Sequence, residues 1–172
     1  MLIILGIDPG SRTTGYGVIR MERREAVHVA HGCIEVADLP FLNRMCVIFD
    51  ALTEIIRTYQ PQEAAIEKVF MSRNVDSALK LGQARGAALV AAGKAALALH
   101  EYSPNEIKQA IVGRGHADKA QVQHMVKTLL ALPEIPRPDA ADALAIAMCH
   151  GHTQQGLTAV RVAQGASRGR YS

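Results

Sequence analysis

The periodicity of apolar and polar positions differs from one segment of this chain to the next, and these periodicities predict a mixture of strands and helices. Buried-strand patterns cover four segments, at 2–7, 15–20, 27–36 and 64–67. Helical spacing covers five segments, at 42–59, 76–98, 104–112, 118–130 and 139–150. Pro61 stops the first helix, and Ser103 and Asp118 are placed to cap the third and the fourth.

The order of these elements predicts the fold class. The first three strands suggest an antiparallel meander, and the alternation that follows fits a mixed sheet flanked by helices. With a fifth strand expected between the second and third helices, this is the order of the ribonuclease H-like fold, an α/β architecture with a mixed five-stranded sheet. We expect one such domain over 1–153. The tail at 154–172 is rich in Gly, Gln, Ser and Arg, so we predict that it is flexible.

Composition narrows the class of protein without identifying it. The 172 residues suffice for a full-sized core, and 19 Lys and Arg against 16 Asp and Glu give a formal net charge of +3. This mild excess permits nucleic-acid binding without requiring it. Three cysteines without CxxC spacing favour reduced cytosolic thiols. No signal-peptide pattern opens the chain, and the apolar stretch at 84–99 is too interrupted to span a membrane, so we expect a cytoplasmic protein.

Four carboxylates occupy positions that would suit a metal site. Asp8 follows the first apolar run, and Glu67 ends the short run AAIE. Asp139 and Asp142 are three residues apart on one face of the last predicted helix. Because ligand sites in open α/β sheets lie at the carboxyl ends of strands, these elements can converge on one acidic pocket.

Each acid also has a simpler interpretation. Asp8 opens the turn sequence Asp-Pro-Gly and would there bond nearby backbone N–H groups. Glu67 would pair with Lys68 or with an arginine from elsewhere, and Asp139 with Asp142 resembles a helix capping box. The segment GIDPGSRTTGYG matches neither the P-loop nor the dinucleotide fingerprint. Taken together, four acids on three elements favour the metal site over four separate coincidences.

The ligand types indicate which metal such a site would take. Oxygen ligands alone suit Mg²⁺ or Mn²⁺ rather than zinc. His150 and His152 could suggest a softer metal, but no Cys/His cluster accompanies them in the sequence, so we expect them at the surface. His116 lies in a loop where it would contact phosphate or only solvent.

Basic and aromatic residues beside the acids suggest contacts to a nucleic acid. Lys108 and Lys119 flank the loop GRGHAD, and with Arg114 between them they could meet a phosphate backbone, although ordinary surface charges are the more common case. Phe70 follows Glu67 closely. It would be a core residue in one interpretation and would stack on an unpaired base in the other.

Four segments together resemble one known family. LGIDPGSRTTGYGV, AIEKVFMSRNVDSALKLGQARGAA, QAIVGRGHADKAQVQHM and DAADALAIAMCH, spread from residue 4 to residue 150, are similar to the RuvC family of bacterial Holliday-junction resolvases. The resemblance implies a ribonuclease H-like fold and a homodimer that makes two symmetric, Mg²⁺-dependent nicks at a four-way DNA junction in recombination and repair. It also implies 5′-phosphate and 3′-hydroxyl products, a preferred T-rich site and cooperation with the RuvA–RuvB branch-migration complex.

The resemblance also implies residue roles. The family's catalytic acids, which would hold two Mg²⁺ ions and accept Mn²⁺ in their place, fall on Asp8, Glu67, Asp139 and Asp142. Its basic active-site positions fall on Lys108 and Lys119, its base-stacking aromatic falls on Phe70, and Arg73 lies in its DNA-facing loop. The dimer surface is expected on the helix predicted at 76–98. Its small residues would allow close approach: Ala78, Gly82, Ala84, Gly86 and Ala87.

Two other classes of protein remain open at this point. An actin-like or sugar-kinase-like ATPase also opens with a strand and a Gly-rich Asp loop, but it needs a second lobe for which 172 residues leave no room. A junction-binding scaffold would bind without cutting, and four intact acids speak against it. A metal-dependent cleavage assay separates the scaffold from the nuclease.

Overall fold

A computed structural model describes residues 1–68, 75–113 and 117–168 of the chain, with side chains up to residue 156. Its five strands are β1 (Leu2–Asp8), β2 (Thr13–Glu22), β3 (Glu25–Glu35), β4 (Glu63–Glu67) and β5 (Ala98–Tyr102). Its five helices are α1 (Phe41–Tyr59), α2 (Val75–Lys94), α3 (Pro104–Val112), α4 (Lys119–Leu129) and α5 (Pro138–Arg168). In this described part, no helix is both long and apolar enough to cross a bilayer.

The strands form one mixed sheet in the order β3-β2-β1-β4-β5. The first three strands pair antiparallel, and β4 and β5 then add in parallel beside β1. The predicted meander and the predicted mixed five-stranded sheet are both confirmed. The central position of β1 brings its carboxyl end beside that of β4, and these are the two strands that end on Asp8 and Glu67.

Each face of the sheet is covered by its own set of helices. Leu5 and Ile7 of β1 pack into the core beneath α1 and α2, whereas Ile4 packs into the core beneath α3, α4 and α5. Since successive strand side chains point to opposite faces, Asp8 lies on the same face as Ile4. The same alternation places Glu67 on the face of Ala65, which also belongs to the α5 side.

Helix α5 lies unusually close to the sheet because glycines line its path. A Cβ on Gly6 would come within 2.0 Å of the Ala143 carbonyl oxygen, and one on Gly15 within 2.0 Å of the Asp139 carbonyl oxygen. Only residues without a Cβ allow such an approach. The glycines at these two positions therefore permit helix packing, and this packing brings the start of α5 next to the end of β1.

The local boundary signals differ in how well they predict the helices. Helix α3 has the predicted bounds, and Ser103 and Asp118 each form a capping box at the start of α3 and α4. Helix α2, however, ends at Lys94, four residues before the predicted end. Ala96 adopts a left-handed conformation with φ of 55°, and the Leu97 N–H donates to the Ala92 carbonyl, which closes the helix and frees the next residues for β5.

The last helix continues beyond its predicted end. We predicted that it stops at His150, and this is wrong because α5 runs to Arg168. The segment after His150 contains no proline, and its glycines cost only about 1 kcal/mol each relative to alanine, which lowers helix propensity without ending the helix. The predicted domain boundary at 153–154 therefore falls inside a helix, while flexibility of the tail stays a prediction.

Candidate active site

Three of the four predicted acids line a single cleft of about 220 Å³ at the carboxyl ends of β1 and β4. We call it the acidic cleft. Its lining residues come from both strands and from the helices α3, α4 and α5: Asp8, Glu67, Pro104, Ile107, Lys108, Lys119, Val122, Asp142 and Ile146. The two predicted lysines are thus brought to the same cleft as the acids. Because the other lining residues are apolar, the cleft is a poor environment for isolated charges.

Asp8 carries the largest electrostatic perturbation in the cleft. Burial, followed by the charges of Asp142, Glu67 and Asp139, raises its pKa from 3.8 to about 8, against a smaller opposing effect of Lys119. In the turn that follows Asp8, Thr14 Oγ1 lies 3.4 Å from both the backbone nitrogen and the carbonyl oxygen of Gly10. Thr14, rather than Asp8, is therefore the side-chain partner of these turn groups. Asp8 instead faces the other carboxylates.

The neighbouring acids are perturbed in the same direction. Burial first, and the charge of Asp142 second, raise the pKa of Glu67 despite the opposing lysines. Burial also raises the pKa of Asp142, although Lys119 Nζ lies 3.5 Å from its Oδ2. The Lys119 side chain is 81% exposed, so solvent screens this ion pair and burial dominates. Burial and the mutual repulsion of the acids therefore outweigh the effect of the lysines on the pKa of each carboxyl.

Asp139 stands beside the cleft and does not line it. It lies in the first turn of α5, one helical turn before Asp142, and its charge raises the pKa of both Asp8 and Asp142. The predicted shared helical face is thus observed. All four acids form one electrostatically coupled group, with three in the wall of the cleft and the fourth half-buried next to it.

A divalent metal fits the donor set of this group. Its potential ligands are carboxylate oxygens alone, which suit a hard cation such as Mg²⁺ or Mn²⁺. Burial and the neighbouring carboxylates raise the pKa of Asp8, Glu67 and Asp142, and a bound cation would favour the ionised form of each. These three residues, together with Asp139, are the ones that could hold it.

Arg85 belongs to the site, although the sequence interpretation treated it only as a charge interrupting an apolar stretch. Its Nη1 donates to the backbone carbonyl of Glu67 at 2.7 Å, and its Nη2 pairs with Glu101. The Arg85 side chain is 13% exposed. It therefore ties the end of β4, and with it the Glu67 backbone, to helix α2. The signal in the sequence was a single arginine inside an alanine-rich helix.

Phe70, Arg73, Arg114 and His116 lie outside the described residues. The proposed stacking and phosphate-contact roles of the first three stay predictions.

His150 contradicts its predicted surface location. Its side chain is fully buried between α5 and the β4–β5 edge of the sheet. It bonds to Tyr102 and Glu63 and stacks on His100. The sequence could not reveal this cluster because its members come from three distant segments.

Comparison of the sequence identifies close relatives. A family model described as Crossover junction endodeoxyribonuclease RuvC matches residues 4–150. The crossover junction endodeoxyribonuclease RuvC of Shewanella amazonensis is 59% identical over 160 residues, which cover 93% of this chain and 92% of the relative.

Comparison of the fold leads to the same group of proteins. A structure of T. thermophilus RuvC in complex with a Holliday junction substrate has a TM-score of 0.85 and 35% identity, covering 92% of this chain and 98% of that one. The yeast mitochondrial Holliday junction resolvase Ydc2 has a TM-score of 0.68 at 14% identity, covering 92% and 82% respectively, and at that identity the likeness extends to the fold alone.

Proposed function

The chain belongs to the RuvC family of crossover junction endodeoxyribonucleases, and from this membership we propose that it resolves Holliday junctions in recombination and repair by nicking two DNA strands. The observation that carries the proposal is the acidic cleft, where carboxylates from β1, β4 and α5 meet inside the segment that matches the family. A relative with 35% identity has been captured with the junction substrate itself.

We propose that the acids hold two Mg²⁺ ions, which Mn²⁺ can replace. Asp8, Glu67, Asp139 and Asp142 would be the ligands, as their oxygen-only chemistry supports, together with the raised pKa of Asp8, Glu67 and Asp142. When bound, the ions would activate water and stabilise charge on the scissile phosphate, and this chemistry would give 5′-phosphate and 3′-hydroxyl ends. The apolar lining residues, among them Ile107 and Ile146, would limit the access of bulk water to the reacting groups.

The two lysines are proposed to act on the DNA rather than on the acids. Lys119 is exposed and contacts Asp142 from the solvent side, so its ammonium group can turn toward a phosphate entering the cleft. Lys108 reaches the same space from α3. Each would offset negative charge that develops on the phosphate during cleavage.

Residues that follow β4 and α3 in the sequence are proposed to contact the junction. Phe70 follows Glu67, the last residue of β4, by three positions in the sequence. From there it can stack on an unpaired base, while Arg73 contacts the backbone of the DNA. Arg114 directly follows Gly113, the C-cap of α3, in the sequence and would contact phosphates of the DNA.

A homodimer is proposed through the outer face of α1 and α2, away from the acidic cleft. Large apolar side chains of these two helices are strongly exposed, among them Phe41, Leu42, Val75, Leu79 and Val90. A groove of about 360 Å³ runs between the two helices and includes Phe49, Gly86 and Ala87. The prediction that Ala84 belongs to the interface is not supported, since it is fully buried in the core beneath α2. A two-fold axis at this face would present two sites to a junction with similar symmetry.

Two further assignments rest on the family alone. Cooperation with the RuvA–RuvB branch-migration complex is proposed from the resemblance. A cytoplasmic location is proposed because a junction-cutting enzyme must reach the chromosome.

The test is cleavage of a synthetic four-way junction beside a linear duplex of the same sequence. With Mg²⁺, the protein should nick two opposing strands of the junction and leave the duplex intact. The Asp8→Asn variant should bind the junction but not cut it, because affinity comes mainly from contacts to phosphates. Binding without nicking by the unmodified protein would instead indicate a junction scaffold.

A further inference from the structure

A second cluster of side chains of the types that can bind metals lies on the α5 side of the sheet, away from the acidic cleft. Glu63 begins β4, His100 lies in β5 and His150 projects from α5. One ligand atom from each lies within 4.8 Å of the other two. His100 Nε2 is 3.7 Å from Glu63 Oε2, and His150 Nε2 is in direct contact with the same oxygen. Three separate elements thus point donor atoms at one small volume.

The two imidazoles are held in place by the rest of the structure. The rings of His100 and His150 stack with their centroids 4.3 Å apart and an interplanar angle of 26°. On the far side of His150, Nδ1 lies 2.7 Å from the hydroxyl of Tyr102. A partner on the second ring nitrogen fixes ring orientation and tautomer, as is usual for histidines that bind metals.

We propose that Glu63, His100 and His150 form a site for a transition-metal dication of the Zn²⁺ class, distinct from the acidic cleft. A set of two imidazoles and one carboxylate favours ions of the Zn²⁺ class over Mg²⁺. His150 is fully buried, whereas His100 and Glu63 are 35% and 26% exposed, so the fourth coordination position would face solvent and take water.

Metal binding needs only a local change in protonation. Without metal, the His150 Nε2–H donates a hydrogen bond to the Glu63 carboxylate. A metal bound by these two groups would take the place of this hydrogen bond. With metal on Nε2, the proton resides on Nδ1 and donates to the Tyr102 hydroxyl oxygen. Burial lowers the pKa of His150, and this favours the neutral imidazole that a metal requires.

The position of the site suggests what occupancy would do. His150 follows Asp142 by eight residues on α5, or about 12 Å along the helix axis. Glu63 precedes Glu67 by four residues on β4, or about 13 Å. A metal there would join the two elements that carry these acids, at a distance from the acids themselves. It would therefore stabilise their relative position without occupying the acidic cleft.

The experiment measures Co²⁺ and Zn²⁺ binding to the full-length protein after metal removal. We expect one Co²⁺ per chain with visible absorption bands, displaced by Zn²⁺, and a melting temperature that rises with Zn²⁺. His100→Gln should weaken binding at least about 100-fold, since it removes a direct ligand. Tyr102→Phe, which removes only the supporting hydroxyl, should weaken it by about 10-fold. His100 is partly exposed, so its replacement should leave the fold intact by circular dichroism.

Two controls locate the metal. His28 and His31 form another histidine pair, with Nε2 and Nδ1 2.8 Å apart, and His31→Gln should leave Zn²⁺ affinity unchanged. Asp8→Asn alters the acidic cleft and should likewise leave it unchanged. Three results would overturn the proposal: undiminished affinity in His100→Gln, loss of affinity in Asp8→Asn, or no binding of Zn²⁺ and Co²⁺ stronger than that of Mg²⁺. In the last case the cluster is a buried hydrogen-bonded pair only.

Discussion

Replacing Gly15 with alanine tests whether close packing of α5 positions the acidic cleft. Gly15 pairs with Asp8 across the β1–β2 ladder, and the first turn of α5 lies directly over it. A Cβ at this position would be 2.0 Å from the Asp139 carbonyl oxygen and 3.0 Å from the Ala140 nitrogen. Both are backbone atoms, so no flexible side chain can yield.

The expected effect follows from the distance that α5 must move. Ordinary van der Waals contact starts near 3.4 Å, whereas the added Cβ would be 2.0 Å from the Asp139 carbonyl oxygen, so this oxygen has to move away by about 1.4 Å. Shifts of about 1 Å in a catalytic group can lower a rate by roughly 100-fold. Overpacking of this kind costs about 1–3 kcal/mol of stability. We therefore expect a folded Gly15→Ala protein that cleaves about 100-fold more slowly and still binds the junction.

The assay is single-turnover cleavage of a four-way junction in saturating Mg²⁺, with thermal melting and junction binding measured on the same preparation. Gly93→Ala is the matched control. Gly93 lies near the end of α2, with nothing within 4 Å of the added Cβ. It should gain up to about 1 kcal/mol of stability and cleave normally. Cleavage by Gly15→Ala at the unmodified rate, or a loss no greater than its unfolded fraction, would refute the positioning role of α5.

Three further predictions concern positioning, assembly and pH. Arg85→Gln should slow cleavage about tenfold with junction affinity retained, because the Glu67 carbonyl loses its guanidinium donor, and unchanged single-turnover rates would contradict this. Val90→Glu, on the exposed α1–α2 face, should sediment as a folded monomer, whereas Leu129→Glu, exposed elsewhere, should not change the oligomeric state. In chelator, the folded state keeps a proton on Asp8 between about pH 4 and 8 that the unfolded chain has released, so stability should fall as pH rises through this window and level off above it. Denaturant unfolding at several pH values gives the free energy of unfolding as a function of pH, and this dependence should be flatter in Asp8→Asn. An identical dependence in both proteins would show that Asp8 is not the group responsible.

Much of the fold and the acidic part of the site could be predicted because their signals are local. The sequence of strand β1 is an apolar run that ends on Asp8, and Ser103 forms the capping box expected at the start of α3. The side-chain alternation of a strand and the periodicity of a helix then place Glu67 and Asp142 on facing surfaces. Patterns of this kind depend on residues within one turn or one strand of each other.

The missed features depend on distant segments or on single backbone conformations. Helix α2 ends through a left-handed Ala96, a position that usually carries glycine and so left no signal. The partnership of Arg85 with the Glu67 carbonyl, and that of His150 with Glu63, require the packing of helices on particular strands. No spacing along the chain encodes these contacts.

The central claim, that carboxylates of the acidic cleft hold divalent ions against the scissile phosphate, is tested most directly by sulfur substitution in the DNA. A junction with one non-bridging oxygen of the scissile phosphate replaced by sulfur should be cut at least about tenfold more slowly in Mg²⁺, because this hard cation binds sulfur poorly. Mn²⁺, which tolerates sulfur better, should restore the rate in the unmodified protein and not in Asp142→Asn. An equal loss of rate in Mg²⁺ and Mn²⁺, for both of the possible sulfur positions, would contradict direct metal contact with the phosphate.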